Sequence, residues 1–313
     1  MKKILKIMVV TLILVVSLTG CSQSNKDNDK LTIISTSFPG YDFARAITKD
    51  SDNVSVKMLL KPGVESHEFE PTPQDIIDIK NSDIFIYVGG DSDEWISDVL
   101  DDIDTDKTKI IKLMDLVDLK EEEIVDGMED DEEEEEDVEY DEHVWTSPIN
   151  AIKIINNLKD EIISLDNSNS EIYEKNASNY INELKDIDTQ IRDIVDSSKR
   201  KEIIFGDRFP LSYFVDEYGL TYYAAFPGCS DANEASAKTI SFLIDKVKED
   251  NIPVIFHIEL SNGKIASAIA DETKVKVLEF NSAHNISQKD FDAEVTYVDI
   301  MKNNVKVLKE ALN

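Results

Sequence analysis

The stretch SEIYEKNASNYINELKDIDTQIRDIV, residues 170–195, indicates the architecture of the whole chain. From Ala177 onward its apolar side chains recur at three- and four-residue steps, which is the spacing of one helical face; the apolar positions are Ile172, Ala177, Tyr180, Leu184, Ile187, Ile191 and Ile194. A helix of this length spans about 40 Å, which is long for a single small lobe. A second helical pattern at 148–165 precedes it directly, with no strand between the two. We therefore predict a stiff helix that joins two lobes.

Short β-rich runs alternate with helix-period segments on both sides of this helix. Four candidate strands precede residue 120 and four follow residue 200: Leu31–Ser35, Val54–Leu60, Asp83–Val88, Lys109–Leu113, Glu202–Phe205, Thr221–Ala225, Val254–Ile258 and Lys276–Phe280. Such alternation is typical of parallel sheets covered by helices. We predict an α/β fold with a first lobe at 31–165, a linking helix at 166–199 and a second lobe at 200–313. Each lobe is expected to contain a four-stranded, mostly parallel sheet.

The N-terminus predicts export and lipid anchoring. Three lysines precede an apolar run that ends near Leu18, and this run is shorter than the roughly 20 residues that a membrane span needs. It is typical of a secretory signal peptide. The ending LTGC, residues 18–21, resembles a bacterial lipobox, in which cleavage leaves a lipid-modified Cys21. We predict a signal peptide at 1–20, a tether at 21–30 and an extracytoplasmic protein anchored through Cys21; the alternative is a plain signal peptide with an incidental cysteine.

The charge distribution excludes one class of partner. The net charge is −32, which argues against a nucleic-acid partner, because binding to its phosphates requires Lys and Arg side chains. Asp and Glu dominate residues 121–142, and a run of like charge stays extended and solvated. We expect a disordered surface loop there, which either concentrates cations near a cleft or is only solvated. With Cys21 lipidated, Cys229 has no intrachain partner, so the sequence predicts no disulfide framework.

Two of the four histidines lie in segments with the same plan. SHEFEPTP at 66–73 contains His67 and EHVWTSP at 142–148 contains His143; each has an aromatic residue two positions later. Thr72 and Ser147 then precede a proline, the pattern of a helix N-cap followed by proline at the first helical position. Loops that enter helices lie at the carboxyl edge of parallel sheets, where ligands bind. Both histidines are therefore candidate metal ligands, and the alternative is a structural role at a loop corner.

The motifs GVESHEFEPTP, DEHVWTSP, VDEYGL, ELSNGKIASAIADET and VTYVDIMKNNVKVLKEAL resemble the zinc- and manganese-binding lipoproteins of metal ABC importers. The resemblance covers essentially the whole mature chain, in order. It implies two Rossmann-like lobes joined by a long helix, with one divalent cation in the cleft between them. It also implies a monomer that passes the metal to a membrane permease driven by a separate ATPase. His67 and His143 match the family's first-lobe ligands.

The second-lobe ligands of that family have no direct match. Counting back from the family's Tyr-Gly pair reaches Arg208, which stays protonated and cannot bind a cation. Asp207 is the nearest candidate, and its alternative is a turn residue that binds backbone amides. His284 occupies the loop where the family commonly has aspartate. Glu259 either completes the ligand set or accepts a hydrogen bond from a ligand histidine, and His257 is expected to be a packed core residue.

Three imidazoles and a carboxylate suit zinc, whereas manganese, the alternative, prefers more oxygen ligands. The chain contains no HExxH helix and no GxSxG elbow, two common signatures of hydrolases. The sequence therefore predicts capture of a divalent metal, with zinc as first choice, and no enzymatic activity. The remaining alternative is an anchored adhesin or interaction lipoprotein whose histidines are structural.

Overall fold

Two four-stranded sheets, each parallel throughout, form the framework of the chain. The structure is a computed structural model that describes residues 30–65, 69–128, 139–228, 230 and 234–313. The first sheet has the order β2-β1-β3-β4, with β1 Leu31–Ser35, β2 Val54–Met58, β3 Ile84–Tyr87 and β4 Lys109–Lys112. The second has the order β6-β5-β7-β8, with β5 Glu202–Phe209, β6 Thr221–Pro227, β7 Val254–His257 and β8 Lys276–Glu279. The predicted α/β fold class is confirmed.

The two sheets share one strand order, and this order determines where ligand-binding loops can lie. In parallel sheets the crevice opens at the carboxyl ends of the strands, where the direction of winding reverses. In the first sheet this point lies between β1 and β3, and in the second between β5 and β7. The loops that follow these four strands are therefore the expected walls of a binding site.

Helices connect and cover the strands. They are α1 Phe38–Ile47, α2 Pro73–Lys80, α3 Ser97–Leu100, α4 Pro148–Leu165, α5 Ser170–Ser197, α6 Ser212–Tyr218, α7 Ala237–Glu249, α8 Lys264–Thr273, α9 Gln288–Asp292 and α10 Tyr297–Leu312. The predicted caps of α2 and α4 are present: the Thr72 hydroxyl accepts from the Asp75 amide, and the Ser147 hydroxyl accepts from the Ile149 amide. Within the described ranges, no helix combines the length and the apolar character needed to cross a bilayer.

Helix α5 is the long helix that the sequence predicts. Its 28 residues span about 42 Å at 1.5 Å per residue. It contacts α1, α4, α6 and α10, so it packs against elements that flank both sheets. One face is buried, at Tyr173, Ala177, Tyr180, Ile181, Leu184, Ile187, Ile191 and Val195. Leu31–Asn313 form one compact unit, and the lobe boundaries at 165 and 199 stay predictions.

Strand β5 differs from its predicted extent. The sequence predicts that the strand ends at Phe205, but β5 continues to Phe209 and α6 begins only at Ser212. The pairing with β6 shifts register between Phe205 and Arg208. At Gly206 an added Cβ would lie 2.5 Å from the backbone of Ala266 in α8. The glycine therefore allows α8 to pack closely against the irregular part of β5, next to Asp207.

Candidate metal centre

His143 lies in the loop just before α4 and is almost fully buried, with 1% of its surface exposed. Its backbone amide donates to Asp141 Oδ1 at 2.7 Å, and its ring Nδ1 lies 2.9 Å from the same oxygen. A carboxylate on one ring nitrogen fixes the tautomer and the ring orientation, and leaves the other nitrogen for a metal. Asp141 therefore orients His143 so that Nε2 is the ring nitrogen available to a metal.

The charges of this pair are coupled. Burial lowers the pKa of His143, but the carboxylates of Asp141, Glu142 and Glu122, with Asp141 contributing most, together more than offset this effect, so the pKa lies above its ordinary value. Burial in turn raises the pKa of Asp141, and His143 lowers it to below the usual range. A metal must replace the second ring proton. Metal affinity should therefore fall as the pH drops through the titration range of His143.

His284 follows β8 and approaches His143 from the second lobe. The two ring centroids lie 5.0 Å apart, and Trp145 makes edge contacts with both rings at 5.5 Å to His143 and 5.0 Å to His284. Trp145 is itself fixed, because its indole N–H donates to the Ser282 carbonyl at 2.8 Å. One buried tryptophan thus holds two imidazoles from different lobes in contact.

Glu259 follows β7 and organises the loop of His284. Its carboxylate accepts from the Ser282 amide at 2.7 Å, the Ser282 hydroxyl at 2.6 Å and the His284 amide at 3.0 Å. Burial raises the pKa of Glu259 above its ordinary value, although these hydrogen bonds act in the opposite direction. Of its two predicted roles, the geometry favours support of the histidine loop, with the bond made to the backbone of His284 rather than to its ring.

Asp207 does not join the two histidines. Its Oδ1 accepts from the Arg208 amide at 3.0 Å and its Oδ2 from the Ile258 amide at 3.3 Å. This is the arrangement expected of a turn residue that binds backbone amides, which was the alternative to a ligand role. Arg208 turns its guanidinium to Glu65 at 2.9 Å and to the Ser230 carbonyl at 3.3 Å.

Glu142 was not among the residues singled out in the sequence. One oxygen of its carboxylate and one ring nitrogen from each of His143 and His284 all lie within 4.8 Å of one another. Asp207 and Glu259 are not in this group. The available signal was the position of Glu142 directly before a candidate ligand, but the surrounding acidic run suggested a solvated side chain.

The described ends of the acidic segment are structured. Glu121 pairs with Tyr140 in an antiparallel bridge, and the Glu122 amide donates to the Glu139 carbonyl at 2.9 Å. The Glu122 carboxylate also accepts from the Gly228 amide at 2.7 Å. Residues 129–138 lie outside the described residues, so the predicted disorder of the central acidic run stays a prediction.

His67, Cys21 and Cys229 also lie outside the described residues. The described chain next to His67 nevertheless contacts the His284 loop, because the Asn285 side chain donates to the carbonyls of Lys61 and Val64 at 2.9 and 2.6 Å. A cavity of about 20 Å³ opens here, and its lining includes Val64, Glu65, His143, Arg208 and His284. That volume suits about one water-sized occupant.

The fold and these side chains can be compared with known proteins. Residues 33–311 match the family described as zinc-uptake complex component A, periplasmic. The chain belongs to this family. A member in Bacillus subtilis, named high-affinity zinc uptake system protein ZnuA, is 33% identical over 292 residues, which cover 92% of this chain and 90% of that protein.

Two further matches come from Streptococcus pneumoniae. The zinc-binding lipoprotein AdcA is 30% identical over 294 residues, which cover 94% of this chain and 58% of that protein; this chain thus spans a little over half of AdcA. The crystal structure of the Zn(II)-bound ZnuA-like domain of AdcA superposes with a TM-score of 0.74 at 29% identity, over 90% of this chain and 99% of that domain. The two lobes and the long connecting helix are thus shared with the family.

Proposed function

We propose that this chain is the extracytoplasmic metal-binding component of a zinc ABC importer. It captures one zinc ion and delivers it to a membrane permease that is driven by a separate ATPase. The observation that carries the proposal is the convergence of two buried imidazoles, His143 and His284, from different lobes. The zinc uptake named for the Bacillus relative and the zinc-bound streptococcal domain support zinc as the cargo.

The proposed ligands are His143 and His284, with the predicted His67 added from the first lobe. Zinc binds imidazole nitrogen at 2.0–2.1 Å and favours four tetrahedral ligands in closed sites. The three histidines fill three of these four positions, and a fourth protein ligand would leave no open position for a reacting water; this site is therefore proposed to bind and release metal without catalysis. Glu259 and Asp207 act in this proposal as the groups that fix the surrounding loops.

The anchoring part of the proposal concerns Cys21. Lipid attached to this residue would hold a monomeric protein at the outer face of the membrane, where it can meet the permease. Fractionation of cells that express Cys21→Ser tests this, because the variant should move from the membrane fraction to the soluble fraction. If Cys21→Ser stays in the membrane fraction, the lipid anchor is wrong.

The binding proposal is tested by calorimetry on residues 22–313. The protein is stripped of metal and titrated with zinc and with manganese in the presence of a competing chelator. We expect one tight zinc per chain, lost in His143→Ala and in His284→Ala. His257→Ala is the matched control, because its ring contacts the Ile258 carbonyl at 2.9 Å and lies outside the ligand group.

The outcomes separate the alternatives. Tighter binding of manganese than of zinc would keep the importer role but overturn the proposed cargo. If no metal binds tightly, the importer role is wrong and an anchored interaction lipoprotein becomes the better account. Equal loss of zinc in His257→Ala and in the two site variants would mean that the histidine substitutions act through folding, which thermal unfolding of the apo-proteins reveals.

A further inference from the structure

Glu142 is buried in a way that a structural role does not explain. It is 0% exposed, and a buried carboxylate is costly unless it is paired or bound to a metal. The ion pairs of the described residues give it no lysine or arginine partner; its partner there is the ring of His284, whose Nε2 lies 3.9 Å from Oε1. This distance is too long for a hydrogen bond.

The carboxylate is held in place by the loop after β3. The Ser92 amide donates to Oε2 at 3.0 Å and the Ser92 hydroxyl donates to Oε1 at 2.5 Å. A carboxylate offers about four lone-pair sites, so these two bonds leave capacity for a further ligand. The loop lies at the winding reversal of the first sheet, where ligand-binding loops are expected.

Gly90 makes room for this side chain. An added Cβ would lie 2.3 Å from Oε2 and 2.4 Å from Cβ of Glu142. The backbone of Gly90 has φ −119°, a value that any residue adopts. The glycine is therefore needed because a larger side chain would not fit, and not because of its backbone conformation. The loop is therefore shaped to admit the Glu142 carboxylate.

The distances fit a metal between the three side chains. In a tetrahedral zinc site with bonds of 2.0–2.1 Å, neighbouring ligand atoms lie about 3.4 Å apart. Oε1 of Glu142 and Nε2 of His284 are 3.9 Å apart, so about half an ångström of closure brings them to that separation.

We infer that Glu142 is a ligand of the metal, bound through a carboxylate oxygen that the loop at Gly90 and Ser92 positions. This assignment rests on the proposed function and adds the anionic ligand that the second-lobe position Asp207 does not supply. With His143 and His284, the described part of the set is two nitrogens and one oxygen. The neighbouring Asp93 senses the negative charge of Glu142: burial and then this charge together raise the pKa of Asp93 to about 7.

The test compares Glu142→Gln with Glu139→Gln, which makes the same charge change three residues earlier at an exposed position. The readouts are the zinc dissociation constant, from chelator competition, and the visible absorption of the cobalt-loaded protein, which reports coordination. Loss of a group that only supports a ligand costs about 10–100-fold in metal affinity. Glu142→Gln should therefore weaken zinc about a hundredfold or more and change the cobalt spectrum, with Glu139→Gln within about threefold of the parent.

Gly90→Ala displaces the carboxylate without changing its charge, and it should weaken zinc by more than about tenfold. Thermal unfolding of each apo-protein accompanies the titrations. Glu142→Gln should be at least as stable as the parent, because it removes a buried charge. Unchanged zinc affinity and an unchanged cobalt spectrum in Glu142→Gln would overturn the ligand assignment alone, whereas absence of zinc binding in the parent would overturn the proposed function as well.

Discussion

Replacement of Glu259 by glutamine separates the two roles that the sequence allows for this residue. The carboxylate accepts three hydrogen bonds from Ser282 and His284, between 2.6 and 3.0 Å. An amide of the same shape keeps one oxygen, which can turn toward the Ser282 hydroxyl and the His284 amide. Its NH2 group then faces the Ser282 amide, so one hydrogen bond is lost and one buried donor has no acceptor.

The size of the destabilisation by Glu259→Gln follows from the loss of this hydrogen bond. Leaving one buried donor unsatisfied costs about 1–3 kcal/mol of unfolding free energy. Burial raises the pKa of Glu259 above 4.5, so the folded state holds this proton more tightly than the unfolded state. The free energy of unfolding that protonated Glu259 contributes is therefore fully present below pH 4.5, and it is lost as the pH rises through the folded-state pKa of Glu259. Since glutamine does not titrate, the destabilisation by Glu259→Gln should be largest near pH 4.5 and smaller at pH 7.

Urea unfolding of the apo-protein at the two pH values measures this difference. The exposed Glu279→Gln, at the end of β8, is the control. Zinc should still bind at one ion per chain, about tenfold more weakly, because the loop of His284 is less firmly held. A destabilisation that grows with pH would refute the pKa argument. Loss of the stoichiometric zinc would show that Glu259 is itself a ligand.

Four other substitutions, in three experiments, have defined outcomes. Asp141→Asn should weaken zinc about tenfold or more in chelator competition, since it no longer fixes the ring of His143; unchanged affinity contradicts this. Zinc should change the tryptophan fluorescence of Trp95→Phe but not that of Trp145→Phe, because only Trp145 touches the two imidazoles; a response that survives in Trp145→Phe would place the metal elsewhere. Gly206→Ala should cost about 1–3 kcal/mol in urea unfolding, because its Cβ would overlap the backbone of α8; an unchanged midpoint would mean that α8 moves freely.

The fold was predictable because its signals are local. The spacing of apolar residues in α5 and the β-rich runs on either side of it can each be recognised within one segment of the sequence. Both sheets contain the strands that these runs predict. The end of β5 was not predictable in this way. Phe209 pairs with Pro227 of β6, and this pairing depends on a partner that no local pattern identifies.

The site was predictable only in part, for the same physical reason. The histidine loops were found because loops at the carboxyl ends of parallel strands meet at one edge, and the structure brings His143 and His284 together there. Glu142 was missed because its burial depends on Ser92, which is 50 residues earlier in the chain. The orientation of Asp207 depends on the register shift in β5, which composition and spacing do not reveal.

Anomalous diffraction at the zinc edge from crystals of the zinc-loaded chain tests the central claim most directly. The account predicts one strong peak at about 2.0–2.1 Å from Nε2 of His143 and from a ring nitrogen of His284. The peak should also lie within bonding distance of a Glu142 oxygen. A peak held by other side chains, or none at these two rings in a protein that binds zinc tightly in solution, would contradict it.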